Sequence, residues 1–235
     1  MKPILAAFVA LLLAPAPATA GVLEDMAGFE RVFIPALALT NQPQAPAARV
    51  QASVVRLNAR LPAFERAFSA HGAELERAIR EARAAVLDAE RLLAEGRRAE
   101  SHDALERIRP ALMEARGKLN LELYVDRLTE FHDAMEDLVK RAAAGATPTQ
   151  LRGPLAQASG LWRNAERLRF EPRLFGFDDA GYEKLRGMVT AEREILSALE
   201  QAVDAGDRAR VGELVKTLKS NFARIYTSFG DFSGL

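Results

Sequence analysis

One spacing recurs along nearly the whole chain: apolar residues three and four apart, charged residues between them, and nowhere a sustained apolar–polar alternation. That period belongs to α-helices with one buried stripe, since about 3.6 residues make a turn. The clearest case is LELYVDRLTEFHDAMEDLVK, Leu121 to Lys140. Leu121, Tyr124, Val125, Leu128, Phe131, Met135, Leu138 and Val139 form its stripe, and Glu122, Asp126, Arg127, Glu130, Asp133, Glu136, Asp137 and Lys140 its polar face. No strand is expected. The chain reads as all-α, and this helix is expected to be the piece the rest is built around.

Read in order, the pattern breaks into further helices. The first holds Leu23, Met26, Phe29, Val32 and Phe33, and Pro35 should kink or end it by removing an amide donor. A second runs from Ala45 to Ala70 with a bend expected at Pro62, and His71-Gly72 marks a turn. Leu75 to Leu93 makes a third, stopped by Gly96. Ser101 to Leu119 makes a fourth, kinked at Pro110; the pattern leaves open whether it continues through Gly117 into the Leu121 helix. AAAGATPTQ is a linker in which Pro148 suits a first helical turn. Leu151 to Leu168 follows, then the aromatic loop EPRLFGFDDAG, where Asp178 or Asp179 is placed to cap the next helix. Gly206 separates that helix from the last, Val211 to Phe229.

The two halves match in layout. ARVQASVVRLNARLPAFERAF resembles TQLRGPLAQASGLWRNAERLRF, and AVLDAERLLAEGRRAESHDALERIRPAL resembles ILSALEQAVDAGDRARVGELVKTLKSNF, with Gly96 placed like Gly206. Two tandem antiparallel four-helix-bundle-like units, 21–120 and 121–235, meeting around Leu119 to Tyr124, account for this pattern.

Residues 1–20 stand apart. Lys2, an apolar run from Ile4 to Ala14, and Ala18-Thr19-Ala20 before Gly21 have the form of a cleaved secretory signal peptide. Its removal leaves about 215 residues, and losing Lys2 leaves 31 basic residues against 32 acidic. That balance gives no reason to expect nucleic acid or an anionic membrane surface as partner. No apolar run after Gly21 is long enough for a membrane span, so a periplasmic or secreted protein is expected. Cysteine is absent, which excludes disulfides, a lipidated cysteine and covalent haem attachment.

Chemistry is sparse. There is no phosphate loop, no nucleophile elbow and no H-E-x-x-H, so no enzyme is expected. Ser101-His102-Asp103 are neighbours on a helix and point in different directions, so they cannot form a triad. His132 lies between Leu128 and Met135 on the stripe, where its ring should be largely removed from water. It is either a hydrogen-bonded core histidine or, with Met135 one turn on, a nitrogen and sulfur pair for a soft metal. Joined by continuous helix, His102 and His132 would stand about 45 Å apart at about 1.5 Å per residue, and His71 belongs to another helix end. A shared three-histidine site is not expected. Phe175, Phe177 and Tyr182 cluster, as do Tyr226, Phe229 and Phe232, and the first group is the candidate wall for a ligand or partner.

VLEDM, Val22 to Met26, and the closing hairpin DAGDRARVGELVKTLKSNFARIY, Asp204 to Tyr226, resemble the soluble periplasmic b-type cytochromes and their c-prime relatives. The resemblance implies a secreted four-helix bundle, with Met26 where that family places a haem-ligating methionine. Where its axial histidine is expected this chain has Tyr226-Thr227, so the family's haem ligands are not carried over. The expected function is a non-catalytic helical protein that binds an unidentified protein or small molecule, without a resident cofactor. The alternative is a periplasmic metal- or haem b-binding bundle.

Overall fold

The computed structural model describes residues 18–235, with side chains from Gly21, so residues 1–17 of the expected leader lie outside it. All regular structure among the described residues is helical: α1 (Ala18–Thr40), α2 (Ala47–Ala70), α3 (Ala73–Ala94), α4 (Arg98–Glu106), α5 (Ile108–Lys118), α6 (Tyr124–Ala143), α7 (Pro148–Arg167), α8 (Asp179–Ala205) and α9 (Arg208–Thr227), with a 3-10 turn at Pro172–Phe175. Two four-helix circuits follow one another. In the first, α1 packs on α2, α2 on α3, α3 on α4 and α5, and α4 back on α1; in the second, α6, α7, α8 and α9 close the same ring.

The ends of these helices are written in the sequence. Gly96 and Gly206 both take a left-handed backbone (φ 75° and 72°), and each carries the same pair of terminal hydrogen bonds. Arg97 N–H donates to Leu92 and Gly96 N–H to Leu93, as Asp207 does to Ala202 and Gly206 to Val203. Thr147 and Gln150 cap α7 reciprocally with Pro148 at its first position, and Asp178 caps α8 by accepting from Gly181 N–H.

Between α5 and α6 the chain is not continuous. Asn120 is the only non-glycine at positive φ (53°) among the described residues, and it ends α5 with that same pair of bonds, Leu121 N–H to Arg116 and Asn120 N–H to Gly117. Leu121 to Leu123 therefore lie outside α6. The break near Pro110 also comes earlier than expected, at Arg107, which leaves Pro110 in the first turn of α5, where no amide donor is needed.

Pro35 does not end α1. The helix runs on to Thr40, and the Arg31 carbonyl, deprived of the Pro35 donor, accepts instead from Asp231 N–H at 2.7 Å. The C-terminal tail is thereby laid against α1. Gly230 packs there so tightly that an added Cβ would stand 2.9 Å from both Ile34 and Pro35 side chains, and Arg56 donates to the Ser233 carbonyl at 2.7 Å.

The most enclosed helix is α1 rather than α6. Most of its residues from Met26 to Leu39 are buried, because it packs on its own bundle and also meets α9 and the 3-10 turn. Phe29, Phe33, Phe64 and Phe68 fill the first core; Phe131, Trp162 and Phe222 fill the second. Buried residues run without interruption from one to the other.

Candidate functional site

One buried arginine, Arg116, and one partly buried arginine, Arg109, explain how a charged face of α5 enters this junction. Arg109 and Arg116 are seven residues apart, two turns, and so share one face. Arg116, 2% exposed, donates through Nε to Asp126 of α6 at 2.7 Å and through Nη2 to its other oxygen, while Nη1 reaches Glu30 of α1 at 3.4 Å. Burial pushes the Glu30 carboxyl up to about 7, against the pull of Arg116. Arg109 lies over the Tyr226 ring of α9, 4.7 Å from its centroid, and pairs with Glu106 at 3.2 Å.

Beside Arg109 a cleft of about 290 Å³ opens between the bundles. Each half of the chain contributes: Leu37, His102, Glu106 and Arg109 from the first, His132, Met135, Lys219 and Phe222 from the second. The break at Arg107 and the reversal at Asn120 are what bring His102 and His132 to one cleft, replacing the long separation a continuous helix would impose. His71 is elsewhere, 2.9 Å from Asp25.

The polar groups here are largely spoken for. His102 Nδ1 lies 3.2 Å from Thr40 Oγ1, whose proton has the Ala36 and Leu37 carbonyls to donate to, and His102 Nε2 is 3.3 Å from Glu106. Burial pushes the Glu106 carboxyl up, but the His102 hydrogen bond and the Arg109 charge outweigh it and hold it below its ordinary value. Ser101 Oγ donates to the Ala89 carbonyl at 2.9 Å, so Ser101, His102 and Asp103 form no triad.

Of the four buried side-chain donor or acceptor atoms without partners among the described residues, two belong to residues lining this cleft, Arg109 Nε and His132 Nδ1, while Trp162 Nε1 and Glu192 Oε1 lie elsewhere. The His132 ring stacks on Phe222 at 5.6 Å; Asp133 lies 3.5 Å from Nδ1, outside hydrogen-bonding geometry, and Glu136 lies 3.8 Å from Nε2. Burial, reinforced by Arg109, lowers the His132 pKa and keeps the ring neutral. Met135 is buried in the same wall. Among the described residues no group of three histidine or carboxylate side chains is placed to hold a metal ion.

The aromatic loop is placed differently from His132. Phe175 is buried, edge-on to Phe229 and Phe170, at the contact between the 3-10 turn and α1. Phe229 is the hub, with Tyr124, Phe170, Phe175 and Phe177 around it at 5.0–5.6 Å. Phe177 and Tyr182 are half-buried and line two different surface depressions, so the three residues form no common wall. The arginine pair of α5 and the place of His102 beside His132 are not expected from the sequence; the i, i+7 spacing puts Arg109 and Arg116 on one helix face but does not mark that face as partly buried. No protein-family model, curated protein or solved structure matches this chain.

Proposed function

We propose that this is an exported, non-catalytic binding protein whose small ligand lies in the cleft between the two bundles. The observation that carries this is the pair of unpartnered buried atoms, Arg109 Nε and His132 Nδ1, on one cleft with the apolar Leu37, Met135 and Phe222. Buried polar atoms are nearly always hydrogen-bonded, and an unpaired one costs about 1–3 kcal/mol, which a ligand acceptor and donor would recover. The volume, about 290 Å³, stands just below the roughly 300–1,000 Å³ of drug-sized ligand pockets and suits a small molecule. Catalysis has little support here, because the carboxylates and His102 are already paired with one another or with cations. Export rests on the leader pattern of residues 1–20.

The test is a thermal-shift screen of the full chain against a library of small polar metabolites, run in parallel on His132→Leu. At least one compound is expected to raise the wild-type melting point and to leave the variant's unchanged. A screen with no stabilising compound, or with equal shifts in both proteins, refutes the reading. A soft metal ion at His132 and Met135 is the second reading, favoured by the arrival of His102 on the same cleft. Elemental analysis and an absorption spectrum of the purified protein decide it: stoichiometric copper, iron or haem that is lost in His132→Leu.

A further inference from the structure

A second depression lies next to the cleft, sharing Gln42 and Thr227 with it, and its chemistry is different. It encloses about 560 Å³ between the end of α1, the start of α2, α8, α9 and the C-terminal tail. Leu39, Phe177, Met188 and Phe232 make its apolar wall, and its ionisable lining is Arg49, Lys184 and Arg224, with no carboxylate. These three cations belong to three different helices, and none of them makes a salt bridge among the described residues. Other unbridged cations occur on the surface; these three share the lining of one apolar depression. Arg224 is also held in place: its Nη2 donates to Asn221 Oδ1 at 2.7 Å, and Asn221, 1% exposed, is anchored in turn by donating to Glu192 and to the Met188 carbonyl. Asp178, on the approach to α8, is committed to capping Gly181 N–H and is not part of the lining.

We infer that this groove binds a single-chain amphipathic anion, its acidic head held by Arg49, Lys184 and Arg224 and its apolar body laid on Phe177, Met188 and Phe232. Three cations on the lining of one apolar trough, with no carboxylate among the lining residues, raise the positive potential there, and an anion makes charge-assisted hydrogen bonds, stronger than neutral ones. The half-buried Phe177, Met188 and Phe232 lose further water contact when a hydrocarbon covers them. The volume falls within the ligand-pocket range, while a concave trough fits one chain better than the face of a bilayer. The inference does not depend on what occupies the neighbouring cleft.

The experiment is isothermal titration of the full chain with dodecanoate below its micellar concentration, with dodecanol as the uncharged control. Arg49 and Lys184 are exposed, so the double variant Arg49→Gln, Lys184→Gln is expected to keep the fold. Saturable one-to-one binding of dodecanoate is expected in the wild type, weakened by at least about tenfold in the double variant, with weak dodecanol binding equal in both. His132→Leu should bind dodecanoate like the wild type. The inference is overturned if the wild type shows no saturable binding, if the double variant binds dodecanoate as tightly, or if dodecanol matches dodecanoate. Loss of binding in His132→Leu would place the molecule in the other cleft. Sedimentation with phosphatidylglycerol vesicles without binding of monomeric dodecanoate would point to a membrane surface instead.

Discussion

Glu192 offers the sharpest test of how this protein holds its interior charges. It is fully buried in α8, where its Oε2 accepts from Asn221 Nδ2 at 2.7 Å and its Oε1 has no partner. Burial pushes its carboxyl up from 4.5 to about 8, so the folded protein keeps a proton at neutral pH that the unfolded chain has lost. The sign follows directly: the folded state binds more protons between the two values, so stability falls as pH rises from about 4.5 to about 8. At about 1.4 kcal/mol per pH unit, the fall between about pH 5 and pH 8 reaches about 4 kcal/mol. In Glu192→Gln the amide nitrogen takes the place of the protonated Oε1, donor for donor. The two proteins should therefore be equally stable, within about 1 kcal/mol, near pH 5. Near pH 8 the variant should be the more stable by about 3–4 kcal/mol. Urea unfolding of both proteins across this pH range measures the difference directly, and other titrating groups, Glu30 among them, cancel in the comparison. Parallel stability profiles would show that Glu192 is ionised in the folded protein, and the reasoning fails.

Three further outcomes follow from the junction. Arg116→Met leaves Glu30 and Asp126 buried without their cation and should cost about 3–5 kcal/mol in urea unfolding, a loss made smaller by adding Glu30→Gln to the same chain. Phe229→Ala removes a fully buried ring that four others surround and should cost about 3–5 kcal/mol, read as the drop in unfolding free energy. His132→Leu removes an unpartnered buried nitrogen and should leave stability unchanged or raise it by about 1 kcal/mol at neutral pH. Because the His132 pKa is lowered in the folded state, the wild type loses stability as pH falls below 6.5, and the leucine variant's advantage should widen there, as unfolding at about pH 5 and pH 7.5 will show.

The stripes that make each helix were legible because burial on one face leaves a period in the sequence, and Gly96, Gly206, Thr147, Pro148 and Asp178 were legible because a terminus needs special backbone or an extra acceptor. Asn120 does the work of such a glycine, but asparagine also occurs freely in helices and loops, so the end of α5 did not stand out. Pro35 misled for the opposite reason. Its local effect, a missing donor, is real, yet a residue 196 positions further along supplies the substitute, and no local pattern records a tertiary hydrogen bond. The uncharged stretch from Val32 to Ala48 did carry the enclosure of α1, since a helix apolar on all sides is one surrounded by protein. His132 was legible as an outlier on a stripe. Arg109, His102 and Lys219 were not, because each lies on a polar face that in an isolated bundle would meet water.

Two helical bundles in tandem acquire a site where their polar faces meet. Each circuit closes its own core with aromatic and aliphatic side chains, and the unpartnered polar atoms inside the second, Trp162 Nε1 and Glu192 Oε1, are single buried atoms away from the cleft lining. The polar faces of α4, α5, α6 and α9 become useful only where the two circuits press together and strip water from them. Arg116 then binds a carboxylate from each unit, Glu30 and Asp126, which fixes how the units sit against each other. Two turns earlier on α5, the same face presents Arg109 to Tyr226 and the cleft. Seven residues of one helix thus connect the bond that sets the junction to the atom left open within it. Neither unit alone contains the cleft, since His102 and Arg109 come from one and His132 and Met135 from the other.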